Sequence, residues 1–309
     1  MQAGADGIVI LMGCRDGARF LPAQLASIAA QTHRNWRLVA SDDGSTDATR
    51  AILERFRAVE GEARVEIRRG PGAGFAANYL ALAGDPAIRA GYFAFADQDD
   101  VWHPDRLARG LARLAALPPD RPALTGGRTR LIDADGREIG RSPRFRAAPG
   151  FGNALVQSIA GGNTMLFNAA AKRLLEAVPD VAVVAHDWWA YQLVSGAGGT
   201  VIYDPEPSVA YRQHGENLIG GNRSLRGRVA RLRLLAGGRL AEYTDTNLAA
   251  LERAAPLLTE EARAKVALLR RSRRLPVLQR LAALRRLGLY RQTRGDTAML
   301  WLASVIRLL

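Results

Sequence analysis

Ile8-Val9-Ile10-Leu11-Met12 is an unbroken apolar run, and Tyr92-Phe93-Ala94-Phe95-Ala96 is another. Runs without polar alternation mark parallel strands covered on both faces. Trp36 to Ala40 and the shorter Val65-Glu66-Ile67 predict two further strands between them. The intervening segments change period. Leu21, Leu25, Ile28 and Ala29 recur at helical spacing within residues 21–31, and Ile52, Leu53 and Phe56 do so after Thr46-Asp47, an N-cap candidate. A Gly-Pro-Gly-Ala-Gly loop (Gly70–Gly74) leads into a helix around Asn78 to Ala83. This β-α-β-α-β-α-β order predicts an open α/β sheet. From about Ala123 the pattern becomes irregular, with Gly-rich and Arg-rich stretches. Residues 222–309 read as helices broken near Gly237-Gly238, Pro256 and Pro276, and no internal repeat is visible.

Composition adds a division to this picture. A chain of 309 residues that is 48% hydrophobic can build a sizeable core, as one large domain or a domain with an appendage. Its net charge of +13 is unevenly placed: residues 1–221 hold 24 basic and 24 acidic side chains, residues 222–309 hold 19 and 6. The expected organisation is therefore two physically different parts, an α/β unit over 1–221 and a basic helical region over 222–309. In the latter, Leu225, Val229, Leu232 and Leu235/Ala236 form an apolar stripe among Arg223, Arg226, Arg228, Arg231 and Arg233. Leu278, Leu281 and Leu284 repeat it near Arg280, Arg285 and Arg286. Basic amphipathic helices suit an anionic membrane surface, at about 1 kcal/mol per cationic side chain near the lipid; a solvated outer face is the alternative. The apolar stretch Met299–Ile306 is too short to span a bilayer. Few aromatics and no zinc or recognition-helix pattern argue against nucleic acid. The single cysteine, Cys14, excludes an internal disulfide. With no secretory leader pattern, the expected location is cytoplasmic, with a peripheral position on the inner face of the membrane also open.

The chemistry concentrates where apolar runs end. Asp97-Gln98-Asp99-Asp100 follows Phe95-Ala96 directly. Three carboxylates in four residues raise one another's pKa unless a cation neutralises them. A hard divalent ion, Mg or Mn, with carboxylate and phosphate oxygens, answers that need; a solvated acidic turn is the alternative. Asp42-Asp43-Gly44-Ser45 ends the second predicted strand. In open α/β sheets ligands bind outside the carboxyl ends of the strands, so one crevice could hold both clusters. Asp-Gly is also a common turn pair. A carboxylate there could instead accept from the N3–H of uracil or thymine.

Six stretches together carry a resemblance: Phe20 to Thr32, Ser41-Asp-Asp-Gly-Ser-Thr-Asp47, Asp97-Gln-Asp-Asp-Val-Trp-His-Pro-Asp-Arg-Leu107, Gly161-Gly-Asn-Thr-Met-Leu-Phe167, His186-Asp-Trp-Trp189 and Tyr211-Arg-Gln-His-Gly-Glu-Asn217. Over residues 8–217 the chain resembles inverting family 2 glycosyltransferases of GT-A fold, in the bacterial polysaccharide and rhamnosyltransferase-like branch. The resemblance implies a Rossmann-like mixed sheet flanked by helices, with the basic helical region appended. It implies metal-dependent transfer of a sugar from a nucleoside-diphosphate donor, dTDP-rhamnose first and UDP-sugars next, to a hydroxyl of a glycan or lipid-linked glycan. Asp187 would be the general base. Asp43, supported by Asp42, would meet the base, Asp97 the ribose or a metal-bound water, and Asp99 the metal. Asn163 would orient sugar hydroxyls, Arg212 and His214 would contact phosphate or a further metal position, and one of Trp188 and Trp189 would face a sugar. Cys14-Arg15-Asp16-Gly17 departs from the family's usual Thr-Tyr-Asn-Gly; Arg15 could stack on the base or pair with a phosphate. Cys14 reads as a small buried residue, since inverting transfer needs no covalent intermediate. Rival readings are a sugar nucleotidyltransferase, which would carry a basic Gly-rich loop after the first strand, and a non-enzymatic binding protein with a degenerate transferase domain.

Overall fold

The computed structural model describes residues 6–213 and 239–305. The chain runs β1 (Ile8–Cys14), α1 (Leu21–Ala29), β2 (Trp36–Asp42), α2 (Thr49–Glu60), β3 (Val65–Arg69), α3 (Phe75–Gly84), β4 (Tyr92–Ala96), β5 (Val101–Trp102) and α4 (Arg106–Ala115). It continues β6 (Ala123–Ile132), β7 (Glu138–Arg141), α5 (Phe151–Ala154), β8 (Leu166–Asn168), α6 (Ala169–Glu176), α7 (His186–Gly196) and β9 (Thr200–Arg212). Four helices close the described chain: α8 (Arg239–Arg253), α9 (Glu260–Ser272), α10 (Val277–Leu287) and α11 (Arg294–Val305).

The strands form one mixed sheet in the order β3-β2-β1-β4-β8-β6-β9-β5, with β7 paired to β6. β1, β2, β3 and β4 are parallel, while β8 runs antiparallel between β4 and β6. Alternation along β1 splits the core between the two faces. Val9 and Leu11 pack with Tyr79, Phe93, Phe95 and Trp189, whereas Ile8, Ile10 and Met12 pack with Leu21, Leu25, Ile28, Leu53 and Leu107. Both faces being covered explains why these strands read as continuous apolar runs.

The irregular stretch after Ala123 holds β6 and β9, the two longest strands described. Gly126, Gly127, Arg128 and Arg130 hide the first of them, and Pro205 and Pro207 the second. The prolines are tolerated because the β6–β9 register breaks there: Gly127 pairs with Asp204 and Thr129 with Val209, so residues 205–208 bulge from the ladder.

The C-terminal helices complete the apolar layer on the Val9 face. Leu248, Leu251, Leu269, Leu284 and Leu287 belong to the same buried cluster as Phe93, Trp189 and Leu193. Arg280, expected on a charged helix face, is instead only 3% exposed; it donates from Nη1 to the Ser304 carbonyl (2.5 Å) and from Nη2 to that of Leu275 (2.8 Å). Arg285 and Arg286 remain exposed. The stripe at Leu225, Val229 and Leu232, the boundary at 221/222 and Ile306 lie outside the described residues. Among the described residues no helix is long and apolar enough to cross a membrane.

Candidate active site

The carboxyl ends of β1, β2 and β4 meet at one edge of the sheet, and polar bonds between their loops fix it. Gln98 donates from Nε2 to the Arg15 carbonyl (2.8 Å) and accepts from the Arg15 amide at Oε1 (2.9 Å), so its side-chain amide pairs with backbone as a strand would. A Cβ on Gly17 would lie 2.2 Å from that Oε1, which explains the glycine. Asp47 accepts from the amides of Ala18 (2.9 Å) and Thr49 (2.9 Å), tying the β1 and β2 loops together just before α2. Arg15 itself is exposed. Cys14 is buried, and burial together with Asp42, Asp97 and Asp99 pushes its thiol far above the ordinary range, so it is no nucleophile.

Asp42 and Asp43 end β2. Asp42 accepts from the Ser45 amide (3.0 Å) and so holds the turn. Asp43, 3% exposed, accepts from the amides of Gly72 (2.6 Å) and Gly74 (3.1 Å), drawing the Gly70–Gly74 loop over the strand end.

Asp97, Asp99 and Asp100 follow β4. Burial, then the charge of Asp99, pushes Asp97 up to about 7, with Asp187 adding in the same direction; the Tyr79 hydroxyl donates to it (2.7 Å) and opposes this. Asp100 is fully buried and is raised well above the carboxylate range by burial and then by Asp97 and Asp99. It accepts from Asn163 Nδ2 (2.5 Å) and the Arg212 amide (3.2 Å). Negative charge is therefore gathered where burial disfavours it.

The base candidate lies across a short connection. Asp187, half-buried in the first turn of α7, accepts from the Gly162 amide (3.0 Å) and from its neighbour Trp188 (2.6 Å). Burial lifts its carboxyl to about 6. A 3-10 turn over Gly162–Thr164 thus joins the two halves: Gly162 holds Asp187, and Asn163 holds Asp100. Behind them, His186 is buried and stacks on Tyr79 with ring centroids 3.9 Å apart. Burial drives its imidazole down to about 3, so it is neutral at every working pH.

Of the two tryptophans, one of which is expected to face a sugar, Trp189 has no exposed surface and belongs to the core; Trp188 is half-buried, with its indole N–H on the Ala154 carbonyl (2.6 Å). Two other expectations need correction. Asn163 is 3% exposed and spends its amide on Asp100 rather than facing sugar hydroxyls. Arg212 is 5% exposed, and its guanidinium donates to the carbonyls of Asp99 (2.9 Å), Asp133 (3.1 Å) and Ala134 (3.0 Å), bracing the acidic turn from behind. His214 lies outside the described residues.

Other residues escaped sequence reasoning: Gln98, Tyr79, His186 and above all Arg106. Arg106 starts α4, where a cation opposes the helix dipole. That misplacement was the available signal. Its side chain is buried beneath the acidic cluster.

Hard oxygen donors at the end of β4, carrying charge that burial penalises, fit a divalent ion in character. No group of three His, Cys, Asp or Glu side chains placed to hold a metal occurs among the described residues. Such a site would leave positions for phosphate oxygens.

Residues 9–175 match the family model "Glycosyl transferase family 2", and the chain belongs to that family: it is a glycosyltransferase. It is 26% identical over 240 residues to the dTDP-rhamnosyl transferase RfbG of Shigella flexneri, covering 72% of this chain and 78% of that one. Among solved structures it is similar to S. aureus TarS 1–349 in complex with UDP-GlcNAc (TM-score 0.53, 14% identity, 92% of this chain and 93% of that). It is likewise similar to the mannosyltransferase PcManGT of Pyrobaculum calidifontis in complex with GDP-Man and Mn2+ (TM-score 0.51, 17% identity, 97% and 85%). The mixed, helix-flanked sheet is a GT-A fold.

Proposed function

We propose that this glycosyltransferase moves a sugar, rhamnose before others, with inversion from a nucleoside diphosphate to a hydroxyl of a polysaccharide or lipid-linked glycan. The observation that carries the reading is Asp187. It is a half-buried carboxylate tuned to about 6, gripped by two backbone amides and tied through Gly162–Asn163 to the acidic end of β4. Each of its oxygens accepts one described amide and retains a lone pair for an incoming hydroxyl proton. A base whose pKa lies just below working pH is mostly ionised yet still basic enough to take that proton. No protonated acid is required on the other side, because a diphosphate leaves as a stable anion.

Asp43 would accept the N3–H of a thymine or uracil ring, with Asp42 holding the turn and Arg15 stacking on the base or pairing with a phosphate. Asp99 would hold a Mg or Mn ion, with His214 as a further ligand and Asp97 on the ribose or a metal-bound water; such an ion, when bound, supplies positive charge to the departing diphosphate. Trp188 would offer its ring to the acceptor sugar. The rhamnose preference rests on similarity to the Shigella enzyme.

A thermal-shift screen with Mn2+ against dTDP-rhamnose, UDP-sugars and GDP-sugars tests the donor. Bound at a hundred times its Kd, the right donor stabilises by roughly 2.7 kcal/mol. A shift with GDP-mannose and none with the thymidine or uridine donors would remove the Asp43 assignment. Division of the chain at 221/222 and a peripheral inner-membrane position remain part of this proposal. Exposed Val277, Leu278, Met299 and Leu302 on α10 and α11 support a membrane-facing surface.

A further inference from the structure

Arg106 has no role in the chemistry above, yet it occupies an expensive position. Its side chain is 3% exposed. One nitrogen, Nη2, donates to the carbonyls of Asn163 (2.6 Å), Phe95 (3.1 Å) and Met165 (3.4 Å). Nε and Nη1 are buried without a hydrogen-bond partner. The guanidinium lies 3.6 Å over the Trp102 ring. A buried cation with unpaired donors is tolerated only where opposite charge compensates it. Asp100 and Asp97 are the carboxylates that act on it, and Asn163 joins it to Asp100 directly, accepting from Arg106 at its carbonyl and donating to Asp100 from its side chain. Burial lowers its pKa only to about 9, so it stays cationic at neutral pH.

We propose that Arg106 is a built-in counter-cation for the acidic cluster, which keeps affinity for a free divalent ion low and makes metal and nucleotide diphosphate bind together. An ion arriving alone meets a fixed positive charge and competes for carboxylates already partly neutralised. An ion arriving with a diphosphate brings negative charge of its own, and the repulsion is offset. Metal and nucleotide then show positive coupling, each raising the other's affinity by the same factor. This inference rests on the metal-dependent reading of the site.

The test is calorimetric titration of Mn2+ into the full chain, with and without UDP, for the wild type, Arg106→Met, Arg106→Gln and Arg106→Lys. Folding of each variant is checked by thermal melting. Expected is weak Mn2+ binding to the wild type alone and at least about tenfold tighter binding with UDP. The two neutral variants should bind Mn2+ alone about tenfold tighter than wild type, and the lysine variant close to wild type. Folded neutral variants with unchanged or weaker Mn2+ affinity overturn the proposal. So does a wild type that binds Mn2+ equally well without UDP, a comparison that needs no variant. A wild type that binds no Mn2+ even with UDP overturns the metal-dependent reading as well, which separates the two failures.

Discussion

Replacing Asp187 by Asn should cut transfer by orders of magnitude while making the protein more stable at alkaline pH. The carboxyl stands at about 6 against an ordinary 3.8, because burial disfavours the anion. A shift of about two units is worth about 3 kcal/mol. The sign follows from proton counting. Between the two values the folded state binds more protons than the unfolded chain, so stability is lost as pH rises through about 6. Asparagine carries no charge to bury. It offers one acceptor oxygen to the two amides of Gly162 and Trp188, giving back about 1 kcal/mol for the bond lost. The net expectation is a gain of about 2 kcal/mol near pH 8 that is gone by about pH 4, where the lost bond leaves the variant slightly the less stable. Turnover should fall by about 10²–10⁴, the usual contribution of a positioned base. Wild-type kcat/KM should rise tenfold per pH unit below about 6 and level off above it, a limb missing from the residual activity of the variant. Thermal melts at both pH values and a pH–rate profile on the same preparations decide the matter. Turnover within about threefold of wild type, or a limb centred near 4, would refute the assignment.

Asp99→Ala should weaken nucleotide binding in the presence of Mn2+ and leave binding without metal unchanged; calorimetry giving equal losses in both would contradict its ligand role. Asp43→Asn should weaken UDP and dTDP by roughly 1–3 kcal/mol, the cost of an unsatisfied buried polar contact, and leave CDP, which lacks an N3–H, unaffected. Gly17→Ala forces Gln98 off the Arg15 backbone and should destabilise the fold by roughly 1–3 kcal/mol, read from chemical denaturation. The pair Leu278→Glu and Leu302→Glu should reduce cosedimentation with anionic vesicles without altering transfer to a soluble acceptor; unchanged partition would dismiss a membrane role for that face.

β1 and β4 were legible because burial on both faces leaves them almost wholly apolar, β2 and β3 by shorter apolar stretches, and the acidic clusters because they end such runs. β6 and β9 were not, since Gly126-Gly127, the arginines and Pro205 and Pro207 carry no period that a strand would share. Within the site, Asp43, Asp97, Asp99 and Asp187 stand out as carboxylates at strand or helix ends. Asn163 and Arg212 carry the right chemistry for a ligand, but their partners are protein groups 63 and 113 residues away in the chain, and nothing local announces this. Trp188 and Trp189 are adjacent and chemically identical; only helix phase decides which one is buried.

Because leucines of α8, α9 and α10 belong to the same buried cluster as Trp189 and Phe93, the apolar layer over that face of the sheet is built from both parts of the chain. Chimeras that graft this sheet onto a relative's final helices would split one buried cluster between two parents. The Ala147–Gly150 segment, whose backbone bonds Gln292, Tyr290 and Tyr191, belongs to the same block and should be exchanged together with the final helices.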